Sequence, residues 1–115
     1  MNYKIENNKV ILNGRTVDSP VEAMAAIAID HKLVVLFNKW ADTDQHPYFD
    51  NVVCLDESGK PLWRIQEFTE VRGRSSFYTG ISLNENSDLR AYNFLGFSCR
   101  IDIESGKILD YEFVK

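Results

Sequence analysis

The residues of this chain with the chemistry to serve as ligands, bases or nucleophiles are two histidines, two cysteines and a scatter of carboxylates and serines. Asp42-Thr43-Asp44-Gln45-His46 starts as a calcium loop starts, with ligand-bearing side chains at alternate positions that can converge on one cation. The pattern then breaks. Pro47 stands where such a loop needs glycine for its sharp turn, and no Glu closes it further on. A solvated acidic loop is the reading that remains, with no metal and no cofactor expected. Cys54, in Val52-Val53-Cys54-Leu55, and Cys99, in Phe97-Ser98-Cys99-Arg100-Ile101, sit inside apolar runs and read as core thiols, not as ligands or a disulfide. Ser58 and Ser105 each precede a glycine as turn formers do, and neither lies in the Gly-flanked elbow that exposes a nucleophile. Arg72-Gly73-Arg74-Ser75 has a single glycine, too few to cradle a phosphate, and reads as an exposed turn. No catalytic set emerges, so the chain is read as non-enzymatic.

One stretch of the chain is chemically distinctive. Residues 38–51 show no strand or helix period and carry three Asp and three aromatic residues, which makes them a long loop of the sort that connects function to a rigid scaffold. Trp40, Tyr48 and Phe49 are there as apolar anchors, ringed by Asp42, Asp44 and Asp50. They read either as a lid over one end of the core or as a contact surface for a basic protein. Glu67 and Glu70 are the candidates beside it.

Charge narrows the partner. The formal net charge is −4 and the isoelectric point near 5.1, the reverse of the basic face that phosphate binding needs, so no nucleic-acid partner is expected. The apolar runs Ala23 to Ile29 and Leu33 to Phe37 are broken by Asp30, His31 and Lys32 and fall well short of a membrane span. The start, Met1-Asn2-Tyr3-Lys4-Ile5-Glu6, lacks the apolar stretch of a secretion signal, and a cytoplasmic protein, monomeric or weakly dimeric, is the expectation.

The scaffold for these residues is legible from its turns. With 115 residues, 44% hydrophobic and 26% charged, the chain has the size and composition of a single globular domain, 1–115. Tyr3 to Glu6 and Lys9 to Leu12 alternate around Asn7-Asn8, and Asn13-Gly14 is the strongest hairpin signal, because both centres of a type I′ turn need positive φ. Ser19, Pro20 and Glu22 give helix-start signals and Val21, Met24, Ala25 and Ala28 fall on one helical face, so a short helix over 20–26 is expected. The competing reading makes Ala25 to Ile29 and Lys32 to Phe37 two strands around Asp30-His31-Lys32. Glu57-Ser58-Gly59-Lys60 and Glu104-Ser105-Gly106-Lys107 repeat one phrase at two later hairpins. Phe37, Phe94, Phe97, Tyr111 and Phe113 lie in strand patterns and are expected in the core. The fold class is therefore mainly β: an antiparallel meander curled into a barrel or folded into a two-layer sandwich.

Val53-Cys54-Leu55-Asp56-Glu57-Ser58-Gly59-Lys60-Pro61-Leu62-Trp63 resembles the strand-turn-strand of a pyrroloquinoline-quinone-type propeller repeat, with its Asp, turn Gly and Trp. The second copy of the phrase has Asp110 where the Trp would stand, and 115 residues do not supply a propeller's blades. The resemblance implies a hairpin, without the family's cofactor. In size, acidity and lack of a catalytic set the chain is similar to the small bacterial immunity proteins, which neutralise a cognate toxin, often a basic nuclease, by covering its active site. That likeness implies a protein-binding module with Trp40, Asp42, Asp44, Tyr48, Phe49 and Asp50 in the contact. The competing classes are a small-molecule or enzymatic barrel using His31 or His46, and a structural subunit that pairs through an exposed strand.

Overall fold

The computed structural model describes residues 1–19, 21–38, 50–71 and 74–114. β1 (Tyr3–Glu6), β2 (Lys9–Leu12) and β3 (Arg15–Thr16) form a three-stranded antiparallel sheet in chain order. Its turns use Asn7 and Asn8 (φ 53° and 63°) and Asn13 and Gly14 (50° and 82°). These are the paired left-handed residues that let a two-residue turn follow the twist of its strands. β4 (Ala23–Ile29), β5 (Lys32–Phe37), β6 (Val52–Leu55) and β7 (Pro61–Arg64) make a four-stranded sheet. After a two-stranded ribbon, β8 (Phe68–Val71) and β9 (Arg74–Ser76), a second four-stranded sheet follows: β10 (Tyr78–Leu83), β11 (Leu89–Asn93), β12 (Phe97–Ile101) and β13 (Ile108–Phe113).

The β4–β7 sheet is the middle of three layers. Val34, Leu36, Val52, Cys54 and Trp63 on one of its faces pack with Leu89, Ala91, Cys99 and Ile101 of the C-terminal sheet. Leu33, Val35, Phe37, Val53 and Leu55 on the other face pack with Val10 and Leu12 of the N-terminal sheet. Burial on both faces explains why β5 and β6 read as unbroken apolar runs, whereas β2 and β11 alternate. Each buried Val or Leu side chain contributes about 1.5–3 kcal/mol of transfer free energy. Of the two closures the sequence allows, the sandwich forms and the barrel does not.

The helix expected over 20–26 is not formed. Ala23 opens β4, which pairs along its length with β5, and Ser19 donates its hydroxyl to the Val21 carbonyl (2.8 Å) instead of capping a helix. A helix would have turned Met24 inward, but it sits at an irregularity of register between Ala23 and Ala25 and is 59% exposed. The alanines carry helix propensity, but pairing with the most apolar strand of the molecule outweighs differences of about half a kcal/mol per residue. Asp30, at φ 54°, and His31 form the two-residue turn between these strands.

Candidate functional site

The loop that the sequence singles out is described only at its ends, so Trp40, Asp42, Asp44, Tyr48 and Phe49, and His46 with them, lie outside the described residues. Its far end is tightly held. Asn51, 1% exposed, donates its amide to the carbonyls of Phe37 (2.8 Å) and Tyr78 (2.9 Å) and accepts from the Tyr78 N–H (2.8 Å), tying the middle sheet to the C-terminal one. Asp50, half-buried, faces Arg64 at 3.6 Å, so this carboxylate is partly neutralised.

Glu67 and Glu70 are exposed, on either side of the buried Phe68. Phe68 meets Phe97 (ring centroids 4.8 Å apart) and, edge-on, Tyr111 (5.1 Å), and Phe97 in turn meets Phe113 (5.3 Å). These contacts run from the two glutamates out to β13, the last strand of its sheet. On β13 the expectation of core aromatics is overturned: Leu109 is 52%, Tyr111 44% and Phe113 61% exposed, and Phe94 in the β11–β12 turn, stacked on Phe77, is 63% exposed. Their strand pattern is real, but β13 has a neighbour on one side only, so its side chains overhang the layer beneath. Tyr78 pairs with Asn93, whose side-chain Oδ1 accepts the Phe97 N–H (3.1 Å), and Phe97 pairs with Phe113, so the four form one row across the sheet. That places Phe113 roughly 14 Å, three strand spacings, from the Tyr78 that Asn51 holds. The aromatic row and the end of the acidic loop therefore belong to the same end of the sandwich.

The opposite end is polar. The Glu-Ser-Gly-Lys turns meet the β4–β5 turn there: His31 Nδ1 lies 2.8 Å from Glu57, and Lys32 donates to Glu104 (2.7 Å). Asp56 accepts from Ser58 and from the Lys60 N–H, and Asp102 from the Glu104 N–H and the Ser105 hydroxyl. These bonds hold both carboxyls below the usual carboxylate range. Cys54 and Cys99 are free thiols, each pushed up to about 11 by burial, as core thiols should be. Among the described residues no group of three or more His, Cys, Asp or Glu is placed to hold a metal ion. His31 has 86% of its side chain exposed and is absent from the lining of a cavity of about 380 Å³ between the N-terminal and middle sheets.

A family profile described as a domain of unknown function (DUF7957) matches residues 1–113. The chain belongs to that family. Among curated proteins and among solved structures nothing matches it. The matched span runs from before β1 to the last residue of β13, so the family's domain takes in all three layers, the aromatic row and the cavity. No helix of the described residues is long and apolar enough to cross a membrane.

Glu67 and Glu70 are candidates from their type and position in the sequence, whereas Tyr111 and Phe113 read there as core residues. The exposure of Leu109, Tyr111 and Phe113 follows from the place of β13 at the outer side of its sheet, with a hydrogen-bonded neighbour on one side only, which the residue types themselves do not mark.

Proposed function

We propose that this domain is a non-enzymatic, cytoplasmic protein-binding module of the immunity-protein kind, which presents the β13 edge and its neighbouring carboxylates to a basic bacterial toxin. The observation that carries this reading is the β13 edge itself. Leu109, Tyr111 and Phe113 stand exposed on a strand that has neither Lys nor Pro to blunt it, beside Glu67 and Glu70. Aromatic anchors with an acidic surround suit a partner that brings cations to the rim and apolar side chains to the centre. Trp40, Asp42, Asp44, Tyr48, Phe49 and Asp50 belong to this reading as further contact residues by their aromatic and acidic character.

The test is to express the product of the reading frame immediately upstream, alone and with this chain. Growth arrest by the product alone, relief on co-expression and a stoichiometric complex are expected. The affinity should fall at least tenfold in a Tyr111→Ala, Phe113→Ala double variant, which keeps its thermal transition, and should weaken as salt is raised. Unchanged affinity removes β13 from the contact, and a product without effect on growth overturns the toxin reading. A concentration-dependent dimer of the chain alone, abolished by Phe113→Lys, would assign the edge to self-pairing instead.

A further inference from the structure

The cavity between the N-terminal and middle sheets lies where three strands face four. It is lined by Leu12, Arg15 to Ser19 and Val21 on one side and by Val53 and Leu55 of β6 and Pro61 and Arg64 of β7 on the other. β3, the outer strand nearest to it in the chain, has only 2 residues. After β3 the chain leaves the sheet through Val17 to Ser19, with Val17 still bonded to the Val10 carbonyl (2.8 Å) and packed on Gly59, which has no side chain to fill the gap. What remains open is about 380 Å³, within the roughly 300–1,000 Å³ of small-ligand sites.

Its lining is divided by chemistry. Leu12, Val21, Phe37, Val53 and Leu55 make an apolar floor, while Arg15, Asp18, Ser58 and Arg64 stand at the rim. Arg15 and Arg64 stand there with Asp18, on a molecule whose net charge is −4. Asp50 faces Arg64 at 3.6 Å and takes part of its charge. Arg15, on the short exposed β3, has no ion pair among the described residues, and its guanidinium has donors to spare. We propose that this cavity binds a small amphipathic carboxylate, with its apolar body on the floor and its anionic head at Arg15. An apolar pocket with one or two placed polar groups takes its affinity from the floor and its selectivity from the charge.

Octanoate and octan-1-ol, which share a body and differ in the head group, are the probes. In a titration followed by backbone amide shifts in the ¹⁵N-labelled protein, octanoate should bind at least fivefold tighter than the alcohol and move the signals of Arg15, Val17 and Leu55. Arg15→Gln, on an exposed two-residue strand, should remove that advantage and leave the alcohol's affinity as it was. Equal binding of the two probes, no binding of either, or an Arg15→Gln variant with undiminished octanoate affinity would overturn the site. The exposed row on β13 offers a rival apolar surface, so octanoate binding lost in Tyr111→Ser, Phe113→Ser would overturn it as well. Binding retained there supports the cavity.

Discussion

Gly106 shows how much a single position can depend on what lies over it. The two Glu-Ser-Gly-Lys phrases close the same kind of turn, in which the Asp N–H donates to the Lys carbonyl (2.9 Å in both) and the Gly N–H donates back to the Asp carbonyl. The second turn is one residue longer, because Ile103 stands between Asp102 and Glu104. That residue's carbonyl accepts the Trp63 indole N–H (2.6 Å), and the turn folds down onto the indole. A Cβ at Gly106 would lie 2.5 Å from Trp63 Cε3 and 3.2 Å from the Arg64 carbonyl, at φ +78°. Gly14 has a similar φ of +82° but nothing within 4 Å. Gly14→Ala should therefore cost only the left-handed backbone, about 1–2 kcal/mol. Gly106→Ala should add about 1–3 kcal/mol of overpacking against the buried indole. Urea unfolding of the two variants measures the difference, and equal losses would mean that Trp63 gives way at little cost.

Between elements, the contact that matters most is Asn51, whose side chain makes three hydrogen bonds across the gap between β5 and β10. Asn51→Ala leaves two buried carbonyls and one N–H without that partner, and an expected loss of about 2–4 kcal/mol follows from roughly 1–3 kcal/mol per stranded group with partial relaxation. Denaturant midpoints would register it, and hydrogen exchange should show the faster opening first at Tyr78. Nothing in the sequence marks this Asn from the others, since its role comes from two partners, one fourteen and the other twenty-seven residues away. The turns were legible because Asn7-Asn8, Asn13-Gly14 and Ser-Gly act through their own φ angles. The strand at Ala23 to Ile29 was not, because local propensity and pairing with β5 point in opposite directions there. The candidate site divides the same way: acidic residues announce exposure by their type, whereas Tyr111 and Phe113 are exposed only because the sheet ends at β13.

Across the whole molecule, the middle sheet serves two cores, and this should decide how it unfolds. Along β5, Leu33, Val35 and Phe37 feed the core shared with the N-terminal sheet, and Val34 and Leu36 the core shared with the C-terminal sheet. Neither face can be exposed without moving the strand that carries the other, so the three layers should open together, as small single domains usually do. The thiols supply a reporter. Cys99 is 0% exposed and lies in the C-terminal core, with the titration of its thiol raised to about 11, so it reacts only when that core opens. Leu12, 3% exposed, belongs to the other core. Truncating it to Ala should cost about 2 kcal/mol at the low end of such substitutions, because the neighbouring cavity already leaves its surroundings loose. If the layers are one cooperative unit, Leu12→Ala should speed the labelling of Cys99 in a Cys54→Ala background by about 30-fold, the rate equivalent of that energy. An unchanged labelling rate beside a lowered unfolding midpoint would mean that the N-terminal sheet leaves first, and that the middle sheet survives with one face exposed.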